Sequence, residues 1–526
     1  MLVLKMLLRT LFEHIEDWFD VVFGAKWNPF YQLGALGWFY YWIVVISGFY
    51  LYIFFDTGVT QAYQSLEYLT HEQWYAGGIM RSLHRYASDA LVVMMIVHLL
   101  REFAMDRFRS PRWFAWFTGV PMLWLVFAAG ISGYWMVWDQ LAQYIAITTA
   151  EFLDAVPLFG EAIARNFLTD AKLSGRFFTL MVFVHIALPL FLLFVMWIHI
   201  QRHATPKVNP PKELAIATLS MLLILSFIKP ALSQAPADLS IVPTTVNLDW
   251  FYMPIYPIMN NVSGLTVLIA LIVATLLLMM VPWMPPGKRV PVAVVHLDNC
   301  NGCSRCAADC PFSAIDMAPR SDGSAYKLEA VVDANHCVSC GICVGSCPTA
   351  TPFRTKSELS PGIELPEDKI KELREKTVAA SSKLTGDDRV IVYGCQNSLD
   401  PSKMADAKVG VVTMPCIGML PPSFIDFVLS KKLAEGVFLT GCRQGDCGYR
   451  LGIKWTDARL AGQRDPRIRK RVNQDRIGKY WAGMTRRKEF FKELTAFRLR
   501  LNKLDSAQLE DQNKTNNSSE KDNAQV

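Results

Sequence analysis

Long apolar runs separated by short polar loops fill the first half of the chain, whereas the second half is mixed and charged. Six runs have the length that a helix needs to cross a bilayer, or nearly so, and lie at about 32–54, 80–103, 114–138, 179–201, 214–232 and 262–283. The pattern predicts an amphipathic N-terminal segment (1–30), six membrane spans up to about residue 285, and a soluble half.

Composition and charge placement refine this picture. Hydrophobic residues make up 52% of the 526 residues, too many for an ordinary soluble multidomain protein. Lys and Arg cluster in the loops after the second, fourth and sixth runs, whereas loop 56–79 has none. This bias predicts a multi-pass protein of the cytoplasmic (inner) membrane, with the N-terminus and the soluble half in the cytoplasm. All 12 cysteines lie beyond residue 299, in that reducing compartment, which favours metal ligation over disulfides.

Histidines recur at one interval in two of the apolar runs. His84 and His98 are fourteen residues apart in SLHRYASDALVVMMIVHLLREF, and His185 and His199 repeat this spacing. On a helix, fourteen residues leave both rings on nearly one face, about 21 Å apart along the axis. A single membrane histidine is often a packing residue or a proton relay. Four at matched spacing instead favour two haems, each held by two axial histidines.

Glycines repeat the same interval in the two other runs. Gly34 and Gly48 lie in the first run, and Gly119 and Gly133 in the third. Glycine lets a flat macrocycle lie against a helix backbone, although membrane helices also use it for packing. The shared spacing favours the first explanation, in a four-helix bundle around two haems.

These residues carry a family resemblance. With LHRYAS, GYWMVWDQ and the four histidines, residues 31–205 resemble the cytochrome b of bc-type quinol oxidoreductases, in style the shorter photosynthetic form. The resemblance implies two b haems, one nearer the outer side on His84 and His185 and one nearer the cytoplasm on His98 and His199. It also implies that Arg85 is the basic residue beside the first ligand, and that the protein forms a homodimer.

Residues 206–285 continue the resemblance through two further spans. LDWFYMPIY is similar to the quinol-site signature of the family, a Pro-Glu-Trp-Tyr tetrapeptide. Asp249 stands where the family has glutamate and Trp250 is retained, whereas Leu248 and Phe251 replace the proline and the tyrosine. Asp249 is therefore a candidate proton acceptor from quinol, and a solvated loop acid is the alternative.

The soluble half begins with a doubled C-x2-C-x2-C-x3-C-P motif within residues 290–355. Three cysteines of each run and the last cysteine of the other run wrap one cubane cluster. The two predicted [4Fe–4S] sets are Cys300, Cys303, Cys306 and Cys347, and Cys337, Cys340, Cys343 and Cys310. Zinc is the alternative, but it leaves the third cysteine and the proline unexplained. The region resembles bacterial two-cluster ferredoxins, which implies an α+β fold.

Four further cysteines follow apolar, strand-like runs. After a predicted linker (356–388), RVIVYGC, KVGVVTMPC and GVFLTGC predict a small α/β domain at 389–460 whose strand ends converge. Its cysteines, Cys395, Cys416, Cys442 and Cys447, suffice for one [2Fe–2S] cluster, with buried free thiols or zinc as alternatives. The domain resembles the delta subunit of methyl-viologen-reducing hydrogenase, with Ser398 near the place of another family cysteine.

The end of the chain reads as a basic helical tail (461–505) and a disordered tail (506–526). The fold class is thus multidomain, a six-span α-helical bundle with a four-helix di-haem core, followed by a ferredoxin-like α+β domain and a small α/β iron–sulfur domain. Nothing in the sequence indicates nucleic-acid binding.

Together these motifs predict a membrane subunit of a quinone-dependent oxidoreductase complex. It would transfer electrons between a cytoplasmic redox partner and the quinone pool through one [2Fe–2S] cluster, two [4Fe–4S] clusters and two b haems. Because the chain carries no flavin or nicotinamide motif, the partner is expected to be a flavoprotein that binds FAD or NAD(P). One alternative is a quinol-oxidising, bifurcating subunit that uses the Asp249 loop. Another is an anchor or assembly subunit with structural clusters.

Overall fold

The computed structural model describes residues 2–109, 112–156, 174–201, 206–243, 245–285, 291–354 and 360–523. It divides into two compact units. The first contains Met1–Lys5, Phe19–Arg202 and Pro206–Gly287, and the second contains Met6–Trp18, His203–Thr205 and Lys288–Val526. The boundaries predicted at residues 205, 290 and 355 fall outside the described ranges.

The described part of the first unit is helical. Its helices are α1 (Leu2–Phe23, shared with the second unit), α2 (Leu33–Phe54), α3 (Gln61–Glu67), α4 (Ile79–Ala104), α5 (Trp113–Val137), α6 (Gln140–Asp154), α7 (Gly175–Gln201), α8 (Lys212–Ile228), α9 (Tyr256–Met259) and α10 (Gly264–Met280). Short π-helical segments at Tyr68–Glu72 and Trp74–Gly78 precede α4.

Four helices among the described residues are long and apolar enough to cross a membrane, at Pro29–Phe54, Trp113–Val137, Gly175–Gln201 and Gly264–Trp283. They coincide with four of the six predicted spans. The second predicted span forms α4, which carries charged residues at 81, 85, 89, 101 and 102. The fifth forms α8, which is 17 residues long.

Two helix pairs organise this unit, because α2 packs along α4 and α5 packs along α7. Apolar side chains such as Tyr40, Leu91, Val126 and Leu192 fill the space between the helices. The two helices that carry histidines, α4 and α7, therefore each lie beside a helix that carries the repeated glycines.

The second unit contains two antiparallel strand pairs and one parallel sheet. Strand β2 (Ile315–Pro319) pairs with β3 (Leu328–Val332), and β1 (Val294–Val295) pairs with β4 (Ile363–Glu364). The parallel sheet has the order β6 (Val409–Met414), β5 (Val390–Cys395), β7 (Gly436–Gly441) and β8 (Ile477–Trp481). The helices are α11 (Arg305–Asp309), α12 (Ile342–Ser346), α13 (Ile370–Ser381), α14 (Pro422–Ser430), α15 (Gly452–Leu460) and α16 (Arg487–Asn523).

The parallel sheet explains why distant cysteines meet. Cys395 ends β5, Cys416 follows β6 by two residues, and Cys442 directly follows β7. All strands of the sheet run in one direction, so their carboxyl ends lie at one edge. The apolar β-branched runs that predicted these strands are buried in the sheet, as expected for parallel strands covered on both faces.

The prediction of a linker at 356–388 is corrected by the structure, because much of this segment belongs to the core of the second unit. Strand β4 pairs with β1, and α13 buries Ile370, Leu373 and Thr377. Its many Lys and Glu side chains misled the prediction, since they occupy the exposed face of an amphipathic helix.

The prediction of a basic tail at 461–505 is also corrected by the structure. Residues 477–481 form β8, the fourth strand of the sheet. The following helix, α16, buries Phe490, Leu494, Phe497 and Leu501 against the sheet, whereas the prediction made it a basic tail outside the 389–460 domain. The α/β domain therefore extends well beyond residue 460. The backbone of α16 continues to Asn523, whereas the sequence predicted a disordered tail from residue 506.

Candidate metal centres

The first candidate centre lies between α4 and α7, where His84 and His185 face each other. Their ring centroids are 6.2 Å apart. With metal–nitrogen bonds of about 2.0–2.1 Å, two imidazoles on opposite sides of one metal ion have centroids about 6 Å apart. The pair therefore has the separation that axial ligation of one iron requires.

Both rings are held by hydrogen bonds of Nδ1, which leaves Nε2 free to bind a metal ion. His84 Nδ1 donates to the Val44 carbonyl oxygen at 2.9 Å, and His185 Nδ1 donates to the Ala129 carbonyl oxygen at 2.9 Å. Such bonds fix the tautomer and orient Nε2 as the ligand. Ser47 and Ser132 add hydroxyl contacts to the same nitrogens, at 3.1 and 3.2 Å.

The repeated glycines lie against the histidines. A Cβ at Gly48 would stand 3.0 Å from His84 Cε1, and one at Gly133 would stand 2.9 Å from His185 Cε1. The sequence argument expected these glycines to make room for a macrocycle. In the structure, the atoms that a side chain there would meet first belong to the imidazole rings.

The other two histidines also lie against repeated glycines, with more space. A Cβ at Gly34 would meet the His98 ring at 3.7 Å, and one at Gly119 would meet His199 Cε1 at 3.6 Å. His199 Nδ1 lies 3.0 Å from Thr118 Oγ1. Each of the four histidines thus faces the glycine that the shared fourteen-residue spacing singled out.

Asp249 is buried in an ion pair. Its Oδ2 atom lies 2.8 Å from Arg85 Nη2 and accepts a hydrogen bond from the Tyr134 hydroxyl, while the Arg85 guanidinium stacks over the Tyr134 ring. Asp249 is only 6% exposed, so the alternative of a solvated loop acid is wrong. Trp250, in contrast, is exposed. Arg85 also approaches Asp89, with Nε 3.5 Å from Oδ2.

Tyr252, three residues after Asp249, packs between helices of the first unit. The Tyr252 hydroxyl donates to the Ser88 carbonyl oxygen at 3.0 Å, and the ring lies directly against Gly130, where any side chain would clash. Asp89, Gly130, Tyr134 and Tyr252 were missed from the sequence, because they converge from three separate segments and none lies at a ligand spacing.

The eight cysteines of the doubled motif surround two cavities. One cavity is lined by Cys300, Cys303, Cys306 and Cys347. The other is lined by Cys310, Cys337, Cys340 and Cys343. These are the two predicted ligand sets, each completed by the last cysteine of the other run. No three His, Cys, Asp or Glu side chains of the described residues are close enough to share one single metal ion.

Burial raises the pKa of four of these thiols, those of Cys306, Cys310, Cys340 and Cys343. It raises the pKa of Cys306 to about 12, with the neighbouring Cys347 thiol as the next cause. Burial likewise raises the pKa of Cys340 to about 12. A buried thiolate needs a cation, because cysteine ligates as the thiolate and metal binding releases its proton. The chemistry of both sets therefore fits an iron–sulfur cluster.

The remaining four cysteines form a closed group at the edge of the parallel sheet. Cys395 Sγ lies 3.9 Å from Cys442 Sγ. Cys416 and Cys442 are each hydrogen-bonded to Cys395 and Cys447, and these bonds, together with burial, raise the pKa of both residues. We call this group the third cysteine site.

Two further residues shape the third cysteine site. Gly452, at the start of α15, lies so close to Cys416 Sγ that any side chain would displace the thiol. Ser398, near the place of another family cysteine, donates to backbone carbonyls of Gly441 and Ala482 and is buried. Its hydroxyl therefore ties the loop after β5 to the ends of β7 and β8.

Comparisons with known proteins match three separate stretches of the chain. Residues 19–204 match the family described as Cytochrome b/b6/petB. Residues 299–351 match a 4Fe-4S dicluster domain, and residues 391–505 match the delta subunit of methyl-viologen-reducing hydrogenase. The last match includes β8 and the start of α16, in agreement with the extended domain.

Individual relatives support the first match. Over 176 residues, the chain is 31% identical to cytochrome b6 of Prochlorothrix hollandica and 32% identical to cytochrome b6 of Porphyra purpurea. These alignments cover 33% of this chain and 78% and 80% of the relatives. A solved structure described as "Hyperthermophilic respiratory Complex III" aligns with a TM-score of 0.41 and 18% identity, over 48% of this chain and 75% of that one.

The glycine contacts give a differential test. We expect Gly133→Ala to lower the haem content of the purified protein, because the new methyl group would stand 2.9 Å from the His185 ring and push it from its position. Gly119→Ala is the matched control, because its methyl group meets His199 at an ordinary 3.6 Å. Pyridine haemochrome analysis measures both. Equal haem content in the two variants would contradict the role assigned to Gly133.

Proposed function

The chain belongs to the cytochrome b family, and on that basis we propose that it connects a cytoplasmic redox partner to the quinone pool through two b haems, two [4Fe–4S] clusters and one [2Fe–2S] cluster. The family membership and the dicluster domain make it a membrane electron-transfer subunit that holds b haem and iron–sulfur clusters. Bound haem and clusters supply one-electron transfer. The number of haems and clusters, the residues that ligate them and the partner of the protein are the proposed parts.

One observation carries the proposal. The same chain brings together histidine pairs among membrane helices and three groups of four cysteines in a second unit. An anchor or assembly subunit needs no such series of redox ligands, so this arrangement favours electron transfer over the structural alternative.

For the haems, we propose His84 with His185 nearer the outer side and His98 with His199 nearer the cytoplasm. The Nδ1 hydrogen bonds to the carbonyl oxygens of Val44 and Ala129 keep His84 and His185 in the tautomer that would ligate through Nε2. The glycines let each imidazole approach the neighbouring helix.

We also propose six spans, with α4 and α8 added to the four apolar helices. The charges of α4 do not argue against this, because several are buried within the unit. Arg81 donates to Thr70 and to Ser233, and Asp89 lies beside Arg85. Charged residues of membrane helices face the bundle interior and pair there. Six spans place both termini on the cytoplasmic side of the inner membrane.

The partner is proposed to be a cytoplasmic flavoprotein that binds FAD or NAD(P). The chain itself contains no nucleotide-binding motif, so a two-electron carrier has to act on another subunit. The second unit offers the third cysteine site at the carboxyl ends of a parallel sheet, the edge at which α/β proteins commonly bind ligands. A homodimer, as in cytochrome b complexes, belongs to the same proposal.

The proposed haem ligands are tested by single substitutions. His199→Ala should lower the haem stoichiometry from two per chain to one, because a haem left with one axial histidine is weakly held in a b-type site, which has no covalent link. His71→Ala is the control, because His71 is exposed and bonds only Glu67 among the described contacts. Pyridine haemochrome analysis per chain gives the count. A wild-type value near one would contradict the two-haem assignment.

The third cysteine site is tested by EPR of the reduced full chain. Cys442→Ser should remove a [2Fe–2S] signal and leave the [4Fe–4S] signals, because its thiol is one of only four in that group. Ser398→Ala should keep the signal, because the Ser398 hydroxyl bonds the backbone. If Cys442→Ser left every iron signal unchanged, the third cluster would be wrongly assigned.

Quinol oxidation at the Asp249 loop is a second candidate, and one observation favours it. Asp249 is buried beside Arg85 and Tyr134, and its carboxylate is the group of this loop that could accept a proton from a quinol hydroxyl. Division of electrons between two acceptors would make this subunit a bifurcating one.

Asp249→Asn separates the two candidates. If quinol is oxidised at this loop, we expect quinone-linked turnover to fall by about 10²–10⁴, the usual contribution of a general base. Asp238→Asn removes an exposed acid of the preceding loop and serves as the control. Turnover within about twofold of wild type, with both haems loaded, would leave only a site near the cytoplasmic-side haem.

A further inference from the structure

Residues 6–18 of α1 lie ahead of all three matched regions, yet they pack as part of the second unit. They come from the opposite end of the sequence to the residues that they contact. What they contact is the edge of the sheet that carries the third cysteine site.

The central contact is made by Arg443, the residue after Cys442. Its side chain is 5% exposed and lies among three acids of α1. Arg443 Nη1 is 2.5 Å from Glu16 Oε2, Nη2 is 3.3 Å from Glu13 Oε2, and Nε is 3.5 Å from Asp17 Oδ1. Glu16 is fully buried. A buried carboxylate requires such a partner, so this contact fixes α1 on the loop that follows β7.

The same face of α1 holds two other strand ends. Arg9 Nη2 donates to the Asn397 carbonyl oxygen at 3.1 Å, in the loop after β5. The Met484 amide donates to Glu13 Oε2 at 2.9 Å, and Arg486 Nε donates to Asp17 Oδ1 at 2.9 Å, in the segment after β8. Residues 6–18 thus bind the segments that follow β5, β7 and β8. Cys395 ends β5 and Cys442 directly follows β7, so two of these segments adjoin the third cysteine site.

The opposite face of this segment is apolar and exposed. Leu7, Leu11 and Trp18 are 64%, 56% and 61% exposed. Their spacing of four and seven residues places them on one face of the helix, whereas Arg9, Glu13 and Glu16 share the other. The helix is therefore amphipathic, with its polar face already occupied by protein.

We propose that residues 6–18 form a two-faced strap, in which the acidic face holds the loops of the third cysteine site and the apolar face lies in the lipid headgroup region of the membrane. Lipid is the occupant that chain continuity favours, because the first apolar span begins at Pro29, eleven residues after Trp18. Leucines and a tryptophan are the side chains that interfacial helices insert into this region.

Photo-crosslinking of the full chain in nanodiscs of phosphatidylcholine and phosphatidylglycerol tests the apolar face. We expect p-benzoylphenylalanine in place of Leu11 to form lipid adducts. The same residue in place of Phe12, which is 8% exposed, should lose them and crosslink within the chain. Adducts of Leu11 with a second copy or another protein, or no lipid adducts at Leu11, would overturn the proposal.

Hydrogen exchange in the same nanodiscs tests the acidic face without relying on a labelled variant. Arg443→Gln should cause residues 6–18 to lose protection, because Glu13, Glu16 and Asp17 lose their shared partner. Arg469→Gln is the matched control, because it removes an ion pair with Asp426 elsewhere in the unit, at 2.9 Å. Unchanged protection in Arg443→Gln would refute the strap. Neither readout requires haem or iron, so the result is independent of the proposed cofactors.

Discussion

An imidazole that faces a neighbouring helix inside a membrane bundle needs a backbone position without a side chain opposite it. Gly48 and Gly133 meet this requirement, because a Cβ there would stand 3.0 and 2.9 Å from the rings of His84 and His185, whereas Gly34 and Gly119 face His98 and His199 with ordinary contact distances. Because the rings are anchored to backbone carbonyls and hydroxyls one to four residues before those glycines, ring position and helix spacing depend on each other. The pairing of α2 with α4 and of α5 with α7 follows from this constraint.

In the second unit, a parallel sheet brings ligand residues together that are far apart in the sequence. Strands that run in one direction deliver their carboxyl ends to one edge, so three cysteines separated by long stretches of sequence meet there. The doubled motif works differently, because each run supplies three of its four cysteines from within a few residues. Local spacing therefore determines two sites, whereas tertiary structure determines the third.

This difference explains how far the sequence could be interpreted. The histidine spacings and the doubled cysteine motif are local, and the structure places His84 beside His185 and the cysteines of the motif around two cavities. Strand β8 was missed because Gly478 and Lys479 interrupt its alternation, so Ile477, Tyr480 and Trp481 read as part of a basic tail. The ion pair of Asp249 with Arg85, and the contact of Tyr252 with Gly130, join residues from different helices and loops. No periodicity in one sequence marks such long-range contacts.

The strand order of the parallel sheet has a consequence for biosynthesis. Strand β7 lies between β5 and β8, so the last strand of the sheet is added only when residue 481 has been made. Until residue 481 has been made, the four thiols of the third cysteine site lack part of the sheet that surrounds them in the folded protein. The eight cysteines of the doubled motif precede them on the ribosome and need nothing beyond residue 347 to be complete as ligand sets. The third cysteine site therefore reaches its complete surroundings later in synthesis than the point at which all the cysteines of the doubled motif are present.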